Sequence, residues 1–249
     1  MSNITKFKTG LLLLQHSEHQ NVSSVLTRIL PLVEKKLYVD FTQSYPLSQN
    51  SPGKNDYFRL LLSVNSRPQD TTVVDIQVLL PPSDKTKPLF RNYGLPVDVV
   101  FVNDKDVSII PEDLLNTVKE AMLCAGDVKA ELVETRLETK NQLTGSLNFD
   151  FDFNKSYDGV VIGGTFDRLH KGHKVLIQTA LLLAEKKLTV GVAEGPLLNK
   201  KILKELIESV DQRIKNVIEV IEETKPGIYV CLLSSDTFKK KSDTHTIFS

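Results

Sequence analysis

Two histidines three positions apart, His170 and His173, close the string Val160-Val161-Ile162-Gly163-Gly164-Thr165-Phe166-Asp167-Arg168-Leu169-His170-Lys171-Gly172-His173. An apolar run ends in a glycine pair, a polar turn follows, and the histidines open a strongly apolar helical segment. Glycines at a strand end remove two Cβ atoms where the phosphates of a ligand must approach the backbone. A helix start adds unpaired N–H groups and the positive end of the helix dipole. Imidazoles at i and i+3 there can face one bound phosphate. They donate hydrogen bonds to its oxygens, more strongly when protonated. Thr165 supplies a hydroxyl at the turn, for the phosphate or for an attacking oxygen. The chemistry indicated is phosphate binding, which is compatible with several functions.

Plainer roles compete for the same residues. A His-x-x-His pair also suits a metal, but no third ligand lies near it, so no metal is assigned. Asp167 reads as a turn or cap residue. Arg168 could pair with a surface acid or touch phosphate. Lys200 and Lys201 would ordinarily be a solvated charged loop.

The elements that must hold the motif form a βαβ unit. Tyr157–Ile162 reads as a buried strand, His173–Lys187 as a helix and Leu188–Ala193 as a second strand, with a right-handed crossover in a parallel sheet. A helical stripe follows from Ile202 to Ile221, with a break expected near Ser209. Lys225-Pro226-Gly227 stops it, and Ile228–Leu233 is a last strand. Upstream, Ser23–Lys36 reads as a helix kinked at Pro31, and Leu37–Phe41 as a strand. Tyr45–Asp56 reads as a loop, and Phe58–Val64, Val73–Leu80 and Val97–Val102 as strands. Pro111–Ala125 reads as a helix stopped by Gly126. The first half is thus an α/β accessory domain without a phosphate loop, and its function is not legible. The expected division is residues 1–140 for that domain, 141–155 for a linker, 156–230 for the motif-bearing domain and 231–249 for a disordered tail. The alternating Phe149–Phe153 reads as an edge strand.

The 249 residues carry 31 basic and 31 acidic side chains, so no basic field argues for a nucleic-acid partner. Two cysteines, Cys124 and Cys231, without zinc spacing argue against a disulfide framework and for a reducing, cytoplasmic setting. Leu11–Leu14 is too short for a leader and no run is long enough to span a bilayer. Lys6 and Lys8 without a nearby acid leave mitochondrial association open.

Thr165-Phe166 with His170-Lys171-Gly172-His173 resembles the HxGH signature of the nucleotidyltransferase superfamily. The longer string is similar to eukaryotic phosphopantetheine adenylyltransferase, together with Val190–Ala193, Leu197-Leu198, Lys201 and Arg213. Gly10–Leu14, Leu37–Val39 and Ile76–Leu80 resemble the N-terminal region of bifunctional coenzyme A synthase. The resemblance implies a Rossmann-like doubly wound parallel sheet, incomplete here, preceded by a smaller α/β domain. It implies adenylyl transfer from ATP, carried as its Mg²⁺ complex, to 4′-phosphopantetheine, giving dephospho-coenzyme A and pyrophosphate. His173, Lys201 and Thr165 would then be catalytic. Gly163, Gly164, Phe166, His170, Gly172 and Arg213 would line the nucleotide and phosphate site. Two other readings stand beside it: a cytidylyltransferase of the same superfamily, and a non-catalytic binding module. The resemblance fades after Val230, where the family's ISSxxxR-type nucleotide motif has no counterpart, and no P-loop occurs anywhere. A shortened chain with weak turnover is the expectation.

Overall fold

Leu11–Leu14, four leucines in a row, are all fully buried, as befits an interior strand of a parallel sheet covered on both faces. In a computed structural model, which describes residues 6–15, 22–41, 52–66, 74–81, 95–103, 112–121, 129–132, 155–199 and 201–233, they belong to β1 (Phe7–Leu14). The sequence reading does not assign these leucines to a strand. β1 pairs in parallel with β2 (Val33–Phe41) and β4 (Val99–Asn103). β3 (Asp75–Val78) and β5 (Lys129–Leu132) complete the order β3-β2-β1-β4-β5. That order is doubly wound, with its reversal between β1 and β4. Helices α1 (Val22–Ile29), α2 (Lys54–Asn65) and α3 (Glu112–Ala121) belong to the same unit.

Two expectations in this unit are corrected. Phe58–Val64 is not a strand but lies inside α2. Tyr57, Phe58, Leu60, Leu61 and Val64 are its buried face, at helical spacing, and at its start the Asp56 carboxylate accepts from the N–H of the N-cap Gly53 at 2.8 Å. The helix expected over Ser23–Lys36 ends at Ile29. Pro31 sits in a short 3-10 turn, and Val33–Lys36 already belongs to β2. Residues 141–154 of the expected linker 141–155, the Phe149–Phe153 run and residues 234–249 of the expected tail lie outside the described residues, while residues 231–233 of that tail belong to the strand Tyr229–Leu233.

The chain divides into two compact units, residues 1–78 with 89–155, and residues 79–88 with 156–249. The second carries the motif. Its strands β6 (Tyr157–Gly164), β7 (Ala184–Val192) and β8 (Tyr229–Leu233) run parallel in the order β6-β7-β8. α4 (Lys171–Leu183) and α5 (Val210–Thr224) pack against one another, α4 on β6 and β7 and α5 on β7. Leu188, Val190 and Val192 are buried, whereas Val161 on β6 is 74% exposed. Both units are therefore α/β with parallel sheets, Rossmann-like in kind.

Helix α4 starts two residues before the expected His173 and ends four residues before Lys187, where β7 has already begun. A distant side chain accounts for the early stop. The Lys225 Nζ is buried and donates to the carbonyls of Leu181 and Ala184, each at 2.8 Å. A cation on the last carbonyls of a helix satisfies groups that have no intrahelical partner and favours the dipole. Lys225→Met should therefore lower stability by about 1.5–3 kcal/mol. A urea titration should show the midpoint fall with an unchanged slope.

Candidate active site

Phe166 stands in the left-handed region at φ 53° and is fully buried. Left-handed backbone costs a non-glycine residue roughly 1–2 kcal/mol. Burying a phenylalanine gains roughly 1.5–3 kcal/mol, so the ring holds the turn in place. A Cβ on Gly164 would lie 3.3 Å from that ring, so this glycine makes room for Phe166. A Cβ on Gly163 would meet nothing closer than 3.8 Å, which leaves that strand end open to an approaching ligand. The ring also lies against His173, with centroids 5.4 Å apart.

His170 is the N-cap of α4. Its Nδ1 accepts a long bond from the His173 N–H at 3.4 Å, and its carbonyl accepts from the Lys174 N–H at 3.1 Å. With Nδ1 accepting, the proton of the neutral His170 ring sits on Nε2. Glycine within a helix costs about 1 kcal/mol relative to alanine. It is placed at Gly172 because a Cβ there would lie 3.1 Å from the His170 ring.

The two imidazoles stack, with centroids 3.8 Å apart and planes at 24°. Burial, followed by the neighbouring His170, pushes the His173 pKa below its ordinary 6.5, and Asp167 opposes them more weakly. His173 is therefore neutral at physiological pH. Its Nδ1 is buried and has no hydrogen-bond partner among the described residues.

The one acid and the one arginine of the turn, Asp167 and Arg168, are engaged with the segment before α5. The Glu208 N–H donates to Asp167 Oδ1 at 2.9 Å, and Arg168 donates from Nη2 to the Leu206 carbonyl at 2.9 Å. The Arg168 N–H donates to Glu208 Oε2 at 3.2 Å. Glu208 is the residue the sequence does not single out. Its partners in the turn, Asp167 and Arg168, lie some forty positions away, and no local pattern announces them. Arg213 is 2% exposed and donates from Nε to the carbonyl of Glu208 and from Nη1 to those of Thr165 and Ala193. Lys201 is exposed, on the loop between two short 3-10 turns, Gly195–Leu198 and Lys204–Leu206. It makes no ion pair or side-chain hydrogen bond with the histidine turn among the described residues. Gly164, Phe166, His170, Gly172 and His173 thus form one contact cluster, with Thr165 tied to it through Arg213 and Lys201 standing apart.

Residues 161–247 match the cytidylyltransferase-like family model. The phosphopantetheine adenylyltransferase of Saccharomyces cerevisiae is 38% identical over 82 residues, covering 33% of this chain and 27% of that protein. The enzyme of the same name from Pyrococcus horikoshii is 38% identical over 68 residues, covering 27% and 42%. An uncharacterized protein of Schizosaccharomyces pombe is 40% identical over 67 residues, covering 27% and 21%. The matched stretch spans well under half the length of each of these relatives. No solved structure matches the chain. The part of the second unit that holds the histidine turn is accordingly similar to cytidylyltransferase-like domains and to proteins named phosphopantetheine adenylyltransferase. The likeness to the adenylyltransferases is confined to part of the chain.

Titration of the histidine ring signals by NMR should place His173 below 6.5. His170→Asn keeps a capping side chain and removes the neighbouring imidazole. It should raise the His173 pKa without restoring 6.5, because burial, the larger cause, remains.

Proposed function

We propose that the second unit transfers the adenylyl group of ATP to the phosphate of 4′-phosphopantetheine. One observation carries this reading: the stacked His170–His173 pair at the start of α4, directly after a glycine-ended strand, in a stretch similar to proteins named phosphopantetheine adenylyltransferase. An oxygen of the substrate phosphate attacks the α-phosphorus in line. The bond from that phosphorus to its bridging oxygen breaks, and the electron pair leaves with pyrophosphate. No covalent intermediate on the protein is needed, so the protein contributes orientation and charge stabilisation.

His173 would donate to the phosphoryl oxygens as charge develops, and His170 would face the same phosphates with its Nε2 proton. The Thr165 hydroxyl would orient the attacking phosphate, and Gly163 would let the phosphates approach the backbone. Lys201 would neutralise the departing pyrophosphate from its exposed loop. Mg²⁺ would arrive with the nucleotide as part of the substrate. The described residues offer it no ligand set: the carboxylate of Asp167 is engaged by Glu208 and Arg168, and no group of three metal-ligating side chains converges. The first unit, whose β1, β2 and β3 hold most of the segments that resemble the N-terminal region of bifunctional coenzyme A synthase, would be an accessory domain.

Pyrophosphate release by the purified chain should require ATP and 4′-phosphopantetheine together. His173→Asn should lower the rate about 100–1,000-fold, the scale for losing one preorganised donor. Release with CTP and an alcohol phosphate, and not with ATP, would instead favour a cytidylyltransferase. Folded protein that turns over neither pair would contradict catalysis altogether.

A further inference from the structure

We infer that Arg213 is a positioning residue, which holds the histidine turn against the end of β7 and the start of α5, and does not itself grip the nucleotide. The inference rests on the transfer proposed above. Its Nη1 donates to the Thr165 carbonyl at 2.6 Å and to the Ala193 carbonyl at 2.9 Å, and its Nε donates to the Glu208 carbonyl at 2.9 Å. Thr165 opens the turn that carries both histidines. Ala193 follows β7, and Glu208 lies between the Lys201 loop and the Ser209 N-cap of α5. One rigid guanidinium therefore fixes three segments that are far apart in the chain.

The place chosen is where the sheet stops holding itself together. The Ala193 N–H donates to the Gly164 carbonyl at 2.8 Å, which extends the β6–β7 ladder to its end. The next carbonyls on the two strands, Thr165 and Ala193, both turn to Nη1. Carbonyls withdrawn in part from water, as these are, need partners. A planar fork with fixed donor directions meets this geometry, which a lysine ammonium cannot reproduce. No carboxylate bonds Arg213 among the described residues, so its buried charge is balanced by carbonyl dipoles alone. Only Nη2 is left to meet anything else.

The backbone supplies readouts that do not depend on turnover. If Arg213 positions the turn, Arg213→Lys should speed hydrogen exchange at the amides of Ala193 and Glu208. It should also lower kcat by about 100-fold, the scale expected for a small misplacement of catalytic groups, while the KM for ATP stays within about twofold. In the unmutated protein the Arg213 Nε resonance should stay in place when inorganic pyrophosphate is titrated in, while those of His170 and His173 move. This second measurement decides the matter even if the variant fails to fold. A shifted Nε signal, or a raised KM for ATP with unchanged exchange at Ala193 and Glu208, would overturn the inference and make Arg213 a ligand contact. Absence of pyrophosphate release from the unmutated protein would count against adenylyl transfer, while the exchange and Nε measurements still decide the role of Arg213.

Discussion

A buried phenylalanine in a left-handed conformation holds the candidate site together. Phe166 accepts backbone strain because its ring fills the space left by Gly164 and supports His173. The burial gain exceeds the strain, so the turn is pinned at its middle. Its two ends are held separately. The first glycine pair stays within the β6–β7 ladder, where Gly163 pairs with Gly191 and Gly164 with Val192. The far end becomes the N-cap of α4 through His170. A turn fixed at three points can present two imidazoles to one place without spending ligand binding energy on ordering them.

The electrostatics of that place favour an anion. Two stacked imidazoles disfavour the second positive charge, and burial disfavours the first on His173. His173 at rest is therefore neutral, at the positive end of a helix. A bound phosphate reverses the balance by favouring the charged imidazole. Its arrival should draw a proton to His173 and strengthen the hydrogen bonds that hold it. Transition-state stabilisation of this kind depends on donors already in place, which is what the pinned turn supplies.

What could be read from the chain alone follows the range of the interaction. The Gly163-Gly164 strand end, the histidine pair and the helix after it are local patterns, and the βαβ reading places them correctly. The parallel α/β class was legible for the same reason. Boundaries set by distant partners were not. The C-terminal end of α4 is capped by Lys225 from more than forty residues away, and α2 looked like a strand because its apolar face is dense. The family resemblance brought Arg213 to notice as a ligand contact. Its burial against three carbonyls depends on segments that only the fold brings together. Glycines showed the same division. Gly164 and Gly172 stand out as phosphate-loop residues in the sequence, yet in the fold each makes space for a neighbouring aromatic ring.

Adenylyl transfer is tested most directly by following the α-phosphorus itself. ATP labelled there, incubated with 4′-phosphopantetheine and the purified protein, should pass its label to dephospho-coenzyme A, and His173→Asn should nearly abolish that passage. Label that stays in the nucleotide with folded protein, or that passes as readily without His173, would contradict the account.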